Sequence, residues 1–190
     1  MSKRAKRTRK KKKGYSLEIT GIILIFISIL AIGQFGFVGR FFANILRFFV
    51  GETFQFFSIF IILLGANYLF LGNRPTLKTN RFIGGALIFS AVLVGMHMRL
   101  FEPIMEADVN IISATFRRFP SLIQPTTTNV SMGGGMIGAV LYAISYFLFE
   151  NIGTYLLINL FVFIGIMSIG NFSYSNLFKK IKGGLSFVWN

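Results

Sequence analysis

The chain has 190 residues, 54% hydrophobic and 14% charged, and its apolar residues form long uninterrupted blocks, which excludes an ordinary soluble core. The formal net charge is +14, but nine of the twenty basic residues lie between Lys3 and Lys13, so the charge belongs to a tail. Cysteine is absent and histidine occurs once, so we expect no metal site, no cofactor and no catalytic residue, and the chain is not an enzyme by itself.

The N-terminal segment, residues 1–14, carries no apolar pattern and its like charges repel one another, which predicts disorder in isolation. Near an anionic cytoplasmic leaflet each such charge contributes about 1 kcal/mol. DNA phosphate would attract the segment as well, but without a folded scaffold it cannot recognise a base sequence. We favour lipid binding and topology as the role of the four lysines beside the first apolar block: Lys10, Lys11, Lys12 and Lys13.

Five apolar blocks follow, at about residues 17–36, 53–71, 82–98, 132–149 and 152–171. The third reaches only the short end of membrane-spanning length. No small-x-small cleavage signature follows the first block, so it is a retained anchor and not a removable signal peptide. The membrane domain therefore covers residues 15–178, and residues 179–190 begin a cytoplasmic linker.

Basic loops resist transfer across a membrane, so the clusters of lysine and arginine predict the orientation. They lie in the tail, in the loop with Arg74, Lys78 and Arg81, and near the end at Lys179, Lys180 and Lys182. Both termini are therefore expected in the cytoplasm, with residues 99–131 as the outer loop. Two cytoplasmic ends require an even number of crossings, so one of the five blocks does not span.

The block at 132–149 is the best candidate for the block that does not span the membrane. It opens with three glycines, and a single helical face carries Tyr142, Ser145, Tyr146 and Phe149. We assign it as an outer-leaflet interfacial or re-entrant helix. The alternative, in which both final blocks span and the C-terminus is outside, leaves three lysines on the wrong side. The expected fold class is an all-α integral membrane protein with four transmembrane helices and one or two interfacial or re-entrant helices.

A second interfacial helix is predicted at about residues 38–50. Arg40, Asn44 and Arg47 are spaced by four and three residues and form one polar stripe, while phenylalanine, isoleucine and leucine cover the rest. Such a helix is expected in the headgroup plane with its phenylalanines in the acyl region. A polar connection between spans one and two is the alternative.

Glycines in the apolar blocks predict close helix packing. Gly134 and Gly138 have the G-x-x-x-G spacing, Gly135 is followed by Ala139 and Ala143, and Gly84 and Gly85 have a similar role in the third span. Either patch is a candidate contact between protomers. A phosphate loop is excluded because no lysine and serine or threonine complete the pattern. His97, at the end of a span, is expected to be an interfacial residue without a functional titration.

Three ordered segments carry a resemblance to a known family: AIGQFGFVGR from Ala31, LRFFVGE from Leu46 and GGGMIGA from Gly133, all after a lysine-rich start. In order and spacing they resemble the N-terminal membrane domain of the FtsK/SpoIIIE family of bacterial DNA translocases. The resemblance covers the chain from the tail to Lys182.

The resemblance implies four spans with cytoplasmic termini, a hexameric assembly in the bacterial cytoplasmic membrane at the division septum, and contact with septal proteins. It also implies that a separate C-terminal ATPase motor contacts the DNA. This chain would then anchor, localise and assemble the translocase on anionic lipid. The alternatives are a small oligomeric channel or transporter, which the scarcity of polar groups in the spans disfavours, and a stand-alone membrane scaffold.

Overall fold

The computed structural model describes residues 2–72, 79–103, 110–123 and 130–170. Within those residues the chain is helical and has no strand, which confirms the all-α class. The expected linker at 179–190 lies outside the described residues, as does the end of the block that was expected to reach residue 171.

The first helices form a helix–corner–helix series. α1 covers Ser2–Gly33, α2 covers Gly36–Val50, a 3-10 turn covers Gly51–Thr53, and α3 covers Phe54–Leu71. Gln34 has a φ of 49° and separates α1 from α2, and Gly51, the first residue of the 3-10 turn, has a φ of 61°. Non-glycine residues rarely adopt a positive φ, so the corner at Gln34 is held by its surroundings.

The backbone of the polybasic tail is helical from Ser2, where the sequence predicted disorder in isolation. Lysine, arginine and alanine are good helix formers, and a helix nucleated in the apolar block propagates through them at little cost. Lys10, Lys11, Lys12 and Lys13 thus extend the axis of the first span.

The third block is longer than predicted. α4 covers Asn80–Phe101, so it includes residues at both ends that hydropathy alone left out of 82–98. The expected outer loop contains two further helices, α5 (Ile111–Arg117) and α6 (Phe119–Ile123). Asn110 caps α5, since its side-chain oxygen accepts a hydrogen bond of 3.0 Å from the backbone nitrogen of Ser113.

α7 covers Gly135–Ile169 and has two arms, residues 135–149 and 151–169, separated at Glu150. Glu150 has a φ of 54° and a ψ of −164°, which is not helical. The Tyr142 hydroxyl donates to Oδ1 of Asn151 at 3.3 Å. In a straight helix these residues would be about 13 Å apart along the axis, so the bond indicates that the second arm folds back.

The four long helices form two antiparallel pairs. In the first pair, Gly21 of α1 lies against Gly65 of α3. In the second, Gly84 of α4 lies against Gly165 of α7, and the Tyr155 hydroxyl donates to Oε2 of Glu102 at 3.1 Å. We call the end of the bundle that holds Glu102 and the α2–α3 corner the distal end, and the opposite end the basal end.

The distal end holds two cores. One, containing Val94, Met98, Phe101, Ile111 and Tyr142, joins α4, α5 and the first arm of α7. The second joins the two helix pairs and contains Ala31, Ala43, Val50, Phe54 and Leu93. Leu93 precedes Phe101 by two helical turns, and Gly51 at the corner contacts Gly133, which lies beside His97. The α2–α3 corner therefore lies about 6–12 Å inside the distal end of α4.

Four stretches of the described residues are long and apolar enough to cross a membrane: Ser16–Gly33, Gly36–Leu71, Asn80–Phe101 and Gly135–Ile169. Their exposed surfaces are aliphatic and aromatic; Phe26 is 62% exposed, Leu63 64% and Leu156 68%. Exposed apolar surface on this scale suits contact with acyl chains.

Candidate assembly and membrane-interface site

An ion pair closes the distal end. Nη2 of Arg47 in α2 lies 3.1 Å from Oε1 of Glu52 in the turn that follows, and it also donates to the Val130 carbonyl at 3.2 Å. The same Glu52 oxygen accepts from the backbone nitrogen of Met132 at 3.2 Å. The pair therefore fastens the α2–α3 corner to the segment that enters α7.

Backbone contact between glycines reinforces this closure. The backbone nitrogen of Glu52 donates to the Gly133 carbonyl at 2.9 Å. A Cβ on Gly51 would collide with that carbonyl oxygen, and a Cβ on Gly135 would collide with the backbone nitrogen of Gly51. We call these three glycines with Arg47 and Glu52 the distal clasp. Sequence reasoning did not identify it, because its members are far apart in the chain; the one local signal was a glycine and a glutamate directly after the polar stripe.

Two residues of the polar stripe of α2 contact other segments of the protein, and the third is exposed. Nδ2 of Asn44 donates to the Leu122 carbonyl at 2.7 Å, and Arg47 belongs to the distal clasp, so both residues are half-buried. Arg40 is exposed, and its Nε donates to the Gly36 carbonyl one turn earlier at 3.1 Å. Two of the three residues of the predicted interfacial stripe thus bind other segments of the chain: Asn44 binds α6, and Arg47 binds the 3-10 turn and the segment that leads into α7.

The glycines at the start of α7 allow it to approach α4. A Cβ on Gly134 would collide with the Leu93 carbonyl oxygen, and one on Gly138 would lie 2.8 Å from the same atom. Ala139 is fully buried in the same interface. These residues pack within the chain, so a role for them between protomers stays a prediction.

Gly84 and Gly85 have different surroundings. A Cβ on Gly84 would lie 2.5 Å from the Gly165 carbonyl oxygen, which places Gly84 in the contact between α4 and α7. Gly85 has no heavy atom within 4 Å of the same added carbon. Of this pair, only Gly85 is open to a contact from outside the chain.

His97 is buried within the protein, where the sequence predicted an interfacial side chain. Its exposure is 0%, its ring stacks on Phe101 with centroids 4.8 Å apart, and Nε2 lies 3.1 Å from the Thr115 hydroxyl. Nδ1 has no hydrogen-bond partner among the described residues. The outer loop conceals this histidine through α5, an element that the sequence did not predict.

Thr115→Val is expected to destabilise the distal end by about 1–3 kcal/mol, because Nε2 of His97 would lose its partner while remaining buried. Thermal unfolding in detergent, followed by circular dichroism, measures the change. Thr115→Ser keeps the hydroxyl and is the matched control. Equal stability of the valine and serine variants would contradict a role for the hydrogen bond.

The described residues contain no cluster of three or more histidine, cysteine, aspartate or glutamate side chains suited to a metal ion. What they do contain is four stretches of membrane-spanning length, an amphipathic helix bound to other segments of the chain, and glycine-mediated helix contacts. These features define a helical membrane protein.

Known relatives are DNA translocases. The chain is 30% identical over 187 residues to DNA translocase SpoIIIE of Bacillus subtilis, covering 95% of the chain and 24% of that protein. It is 34% identical over 178 residues to DNA translocase FtsK of Listeria monocytogenes, covering 92% and 23%. With DNA translocase FtsK of Bacillus cereus the figures are 33% over 172 residues, 88% and 22%.

The chain is a homologue of the N-terminal region of proteins named DNA translocase FtsK and SpoIIIE. It spans about a quarter of the length of the curated relatives it matches. No protein-family profile matches it. No solved structure matches it either.

Proposed function

We propose that this chain is the membrane anchor and assembly module of a DNA translocase that moves chromosomal DNA during cell division or sporulation. The observation that supports it most directly is the match of nearly the whole chain to the N-terminal quarter of proteins named DNA translocase. In this proposal an ATPase motor beyond the module contacts the DNA, and the module itself performs no catalysis. Its site of action is the bacterial cytoplasmic membrane at the division septum, with septal proteins as partners.

The proposed orientation places the basal end in the cytoplasm. The polybasic tail is the N-terminal part of α1 and lies at that end, where α3 also ends and α4 begins; the sequence between them contains Arg74, Lys78 and Arg81. Basic segments resist translocation and favour an anionic cytoplasmic leaflet. The first arm of α7 follows Leu93 to Phe101 and does not extend toward the basal half of α4, which supports its assignment as a re-entrant helix of the outer leaflet.

Single-cysteine labelling tests this orientation directly, because the chain has no native cysteine. With Glu150→Cys in protoplasts, we expect a membrane-impermeant maleimide to modify the cysteine before lysis. With Lys12→Cys we expect modification only after lysis. Labelling of the Lys12 variant before lysis would show that the orientation is the inverse of the proposed one. Protection of the Glu150 variant until lysis would contradict the re-entrant assignment of 132–149.

The anchoring role is tested separately from orientation. The membrane module fused to a fluorescent protein should concentrate at the division septum of a suitable bacterial host, and the same fusion without residues 16–170 should not. Uniform distribution of the intact module over the cell membrane would contradict septal localisation. Translocation of DNA in a cell whose motor lacks this module, at the normal septal position, would contradict the anchoring function.

Gly85 offers a test of assembly. Because a side chain at this position meets open space within the chain, Gly85→Leu should leave helicity and thermal stability unchanged while reducing the oligomer fraction about tenfold. Chemical cross-linking in membranes measures the oligomer. Gly84→Leu, one residue away, should instead destabilise the single chain by about 1–3 kcal/mol through its collision with Gly165. An unchanged oligomer in the Gly85 variant would remove this residue from the protomer contact.

A further inference from the structure

The depth of α2 in the bundle differs from that of a helix in the headgroup plane. Val50 at its end and Phe54 of α3 share a core with Leu93 of α4, two turns before the distal end of α4. The distal clasp places Gly51 against Gly133, which lies beside Met96 and His97 of α4, closer to the distal end than Leu93. The C-terminal end of α2 therefore lies about 6–12 Å inside the distal boundary of the second helix pair.

The apolar surface of α7 extends well beyond that level. Its second arm exposes one continuous strip whose members are 50–81% exposed: Ile152, Leu156, Leu160, Phe163 and Ile166. The strip begins three residues before Tyr155, which bonds to Glu102 at the distal end. Acyl chains that cover this strip reach past α2, so α2 lies within the acyl region of the distal leaflet and below its headgroups.

A submerged polar side chain needs a partner, because acyl chains offer no hydrogen bonds. Asn44 has a protein partner in α6, and Arg47 has one in the segment that leads into α7. Arg40 has only the carbonyl of Gly36, and its exposed guanidinium makes no hydrogen bond to another element within the described part of the chain.

Two exposed phenylalanines are neighbours of Arg40 in the sequence of α2. Phe37 is 80% exposed and Phe41 51%, and their rings stack with centroids 6.4 Å apart. Phe37 lies three residues before Arg40 and therefore on the same side of the helix, and Phe41 continues the apolar surface by stacking on Phe37. A positive charge beside exposed apolar rings matches the phosphate and the acyl chains of a phospholipid.

We propose that Arg40, Phe37 and Phe41 form a binding site for one anionic phospholipid of the distal leaflet. The Arg40 guanidinium binds the lipid phosphate and draws it below the surrounding headgroups, and the two rings contact the upper acyl chains. Arginine suits this role because its planar donors bind phosphate oxygens in pairs. The proposal goes beyond anchoring by the tail, and it depends on membrane embedding but not on which leaflet is cytoplasmic.

Native mass spectrometry of the purified chain tests the site with a defined probe, phosphatidylglycerol mixed with an equal amount of phosphatidylcholine. We expect the wild type to retain phosphatidylglycerol in preference to phosphatidylcholine. Arg40→Gln should retain about fivefold less phosphatidylglycerol, because about 1 kcal/mol per arginine at an anionic surface corresponds to that factor. Arg117→Gln, which changes another exposed arginine at the distal end, is the matched control and should retain the lipid. Arg40→Lys should fall between the two glutamine variants.

Three outcomes would overturn the site: unchanged retention in Arg40→Gln, equal loss in Arg117→Gln, or equal retention of the two lipids by the wild type. Loss of oligomer in Arg40→Gln without loss of lipid would also overturn it, since a second copy would then occupy the surface. Circular dichroism establishes that each variant is folded, and if Arg40→Gln is not, the Arg40→Lys result decides.

Depth is measured independently with a nitroxide at Phe41→Cys, which is specific because the chain has no other cysteine. We expect oxygen to relax the label more strongly than a water-soluble nickel chelate, as for a site among acyl chains. A label at Ile152→Cys should behave in the same way. Stronger relaxation by nickel at Phe41 would place α2 in the headgroup plane and overturn the submerged site, while leaving the anchoring proposal standing.

Discussion

Gly51→Ala should destabilise the folded chain by about 2–5 kcal/mol. Two costs add at this position. Gly51 has a φ of 61°, and the new Cβ would meet the backbone carbonyl of Gly133, which cannot move without opening the contact between the α2–α3 corner and α7. Thermal unfolding in detergent, compared with the wild type, measures the loss.

Gly36→Ala separates these two costs. Gly36 has nearly the same φ, 60°, but no heavy atom lies within 4 Å of an added Cβ. It should therefore cost about 1–2 kcal/mol, the backbone contribution alone. If the two alanine variants were equally stable, the contact between Gly51 and Gly133 would contribute nothing and the distal clasp would need to be rejected.

Glu52→Ala should destabilise the distal end by about 2–4 kcal/mol, because it removes the carboxylate that balances the half-buried Arg47 and that accepts from the Met132 backbone. The Arg47 side chain is only 13% exposed, so water replaces the lost partner poorly. Besides thermal unfolding, faster hydrogen exchange at residues 130–135 should report the opening of this segment.

Glu102→Ala is the matched control for Glu52, since it removes an exposed glutamate at the same end whose partner is the exposed Tyr155 hydroxyl. We expect a change below about 1 kcal/mol there. The double variant Arg47→Met with Glu52→Leu should recover part of the stability lost in Glu52→Ala, because it removes both charges. A double variant less stable than Glu52→Ala would show that the hydrogen bonds to Val130 and Met132 matter more than the unpaired charge.

Much of the helical architecture was predictable because a membrane span is recognised from the hydropathy of its own consecutive residues. The block at 53–71 matches α3 to within one residue, and the break expected between 149 and 152 falls at Glu150. The length of α4 was underestimated because the helix, which packs against α5 and α7, continues through residues such as Arg99 that lower the mean hydropathy. α5 and α6 were missed because helices of seven and five residues have almost no periodic signal and depend on tertiary contacts.

The candidate site was less predictable than the fold. The spacing of Arg40, Asn44 and Arg47 identified one polar stripe, but their partners Leu122, Glu52 and Val130 belong to segments brought together only by folding. The same limit applies to His97, whose concealment depends on Thr115. Gly84 and Gly85 are indistinguishable in sequence, and the orientation of α4 alone separates a packed glycine from an open one.

By itself the sequence determined that the chain is a helical membrane protein with a basic tail, because burial in lipid needs long apolar helices and charge is excluded from them. The ordered segments also indicated a resemblance to the FtsK/SpoIIIE translocases, which the homology to proteins of those names confirms. Only the tertiary structure decided the depth of α2, the membership of the distal clasp, and which arginine of the stripe remains available for a ligand. Those properties arise from contacts between residues about eighty positions apart, such as Glu52 with Met132, and no local pattern encodes which distant partners meet.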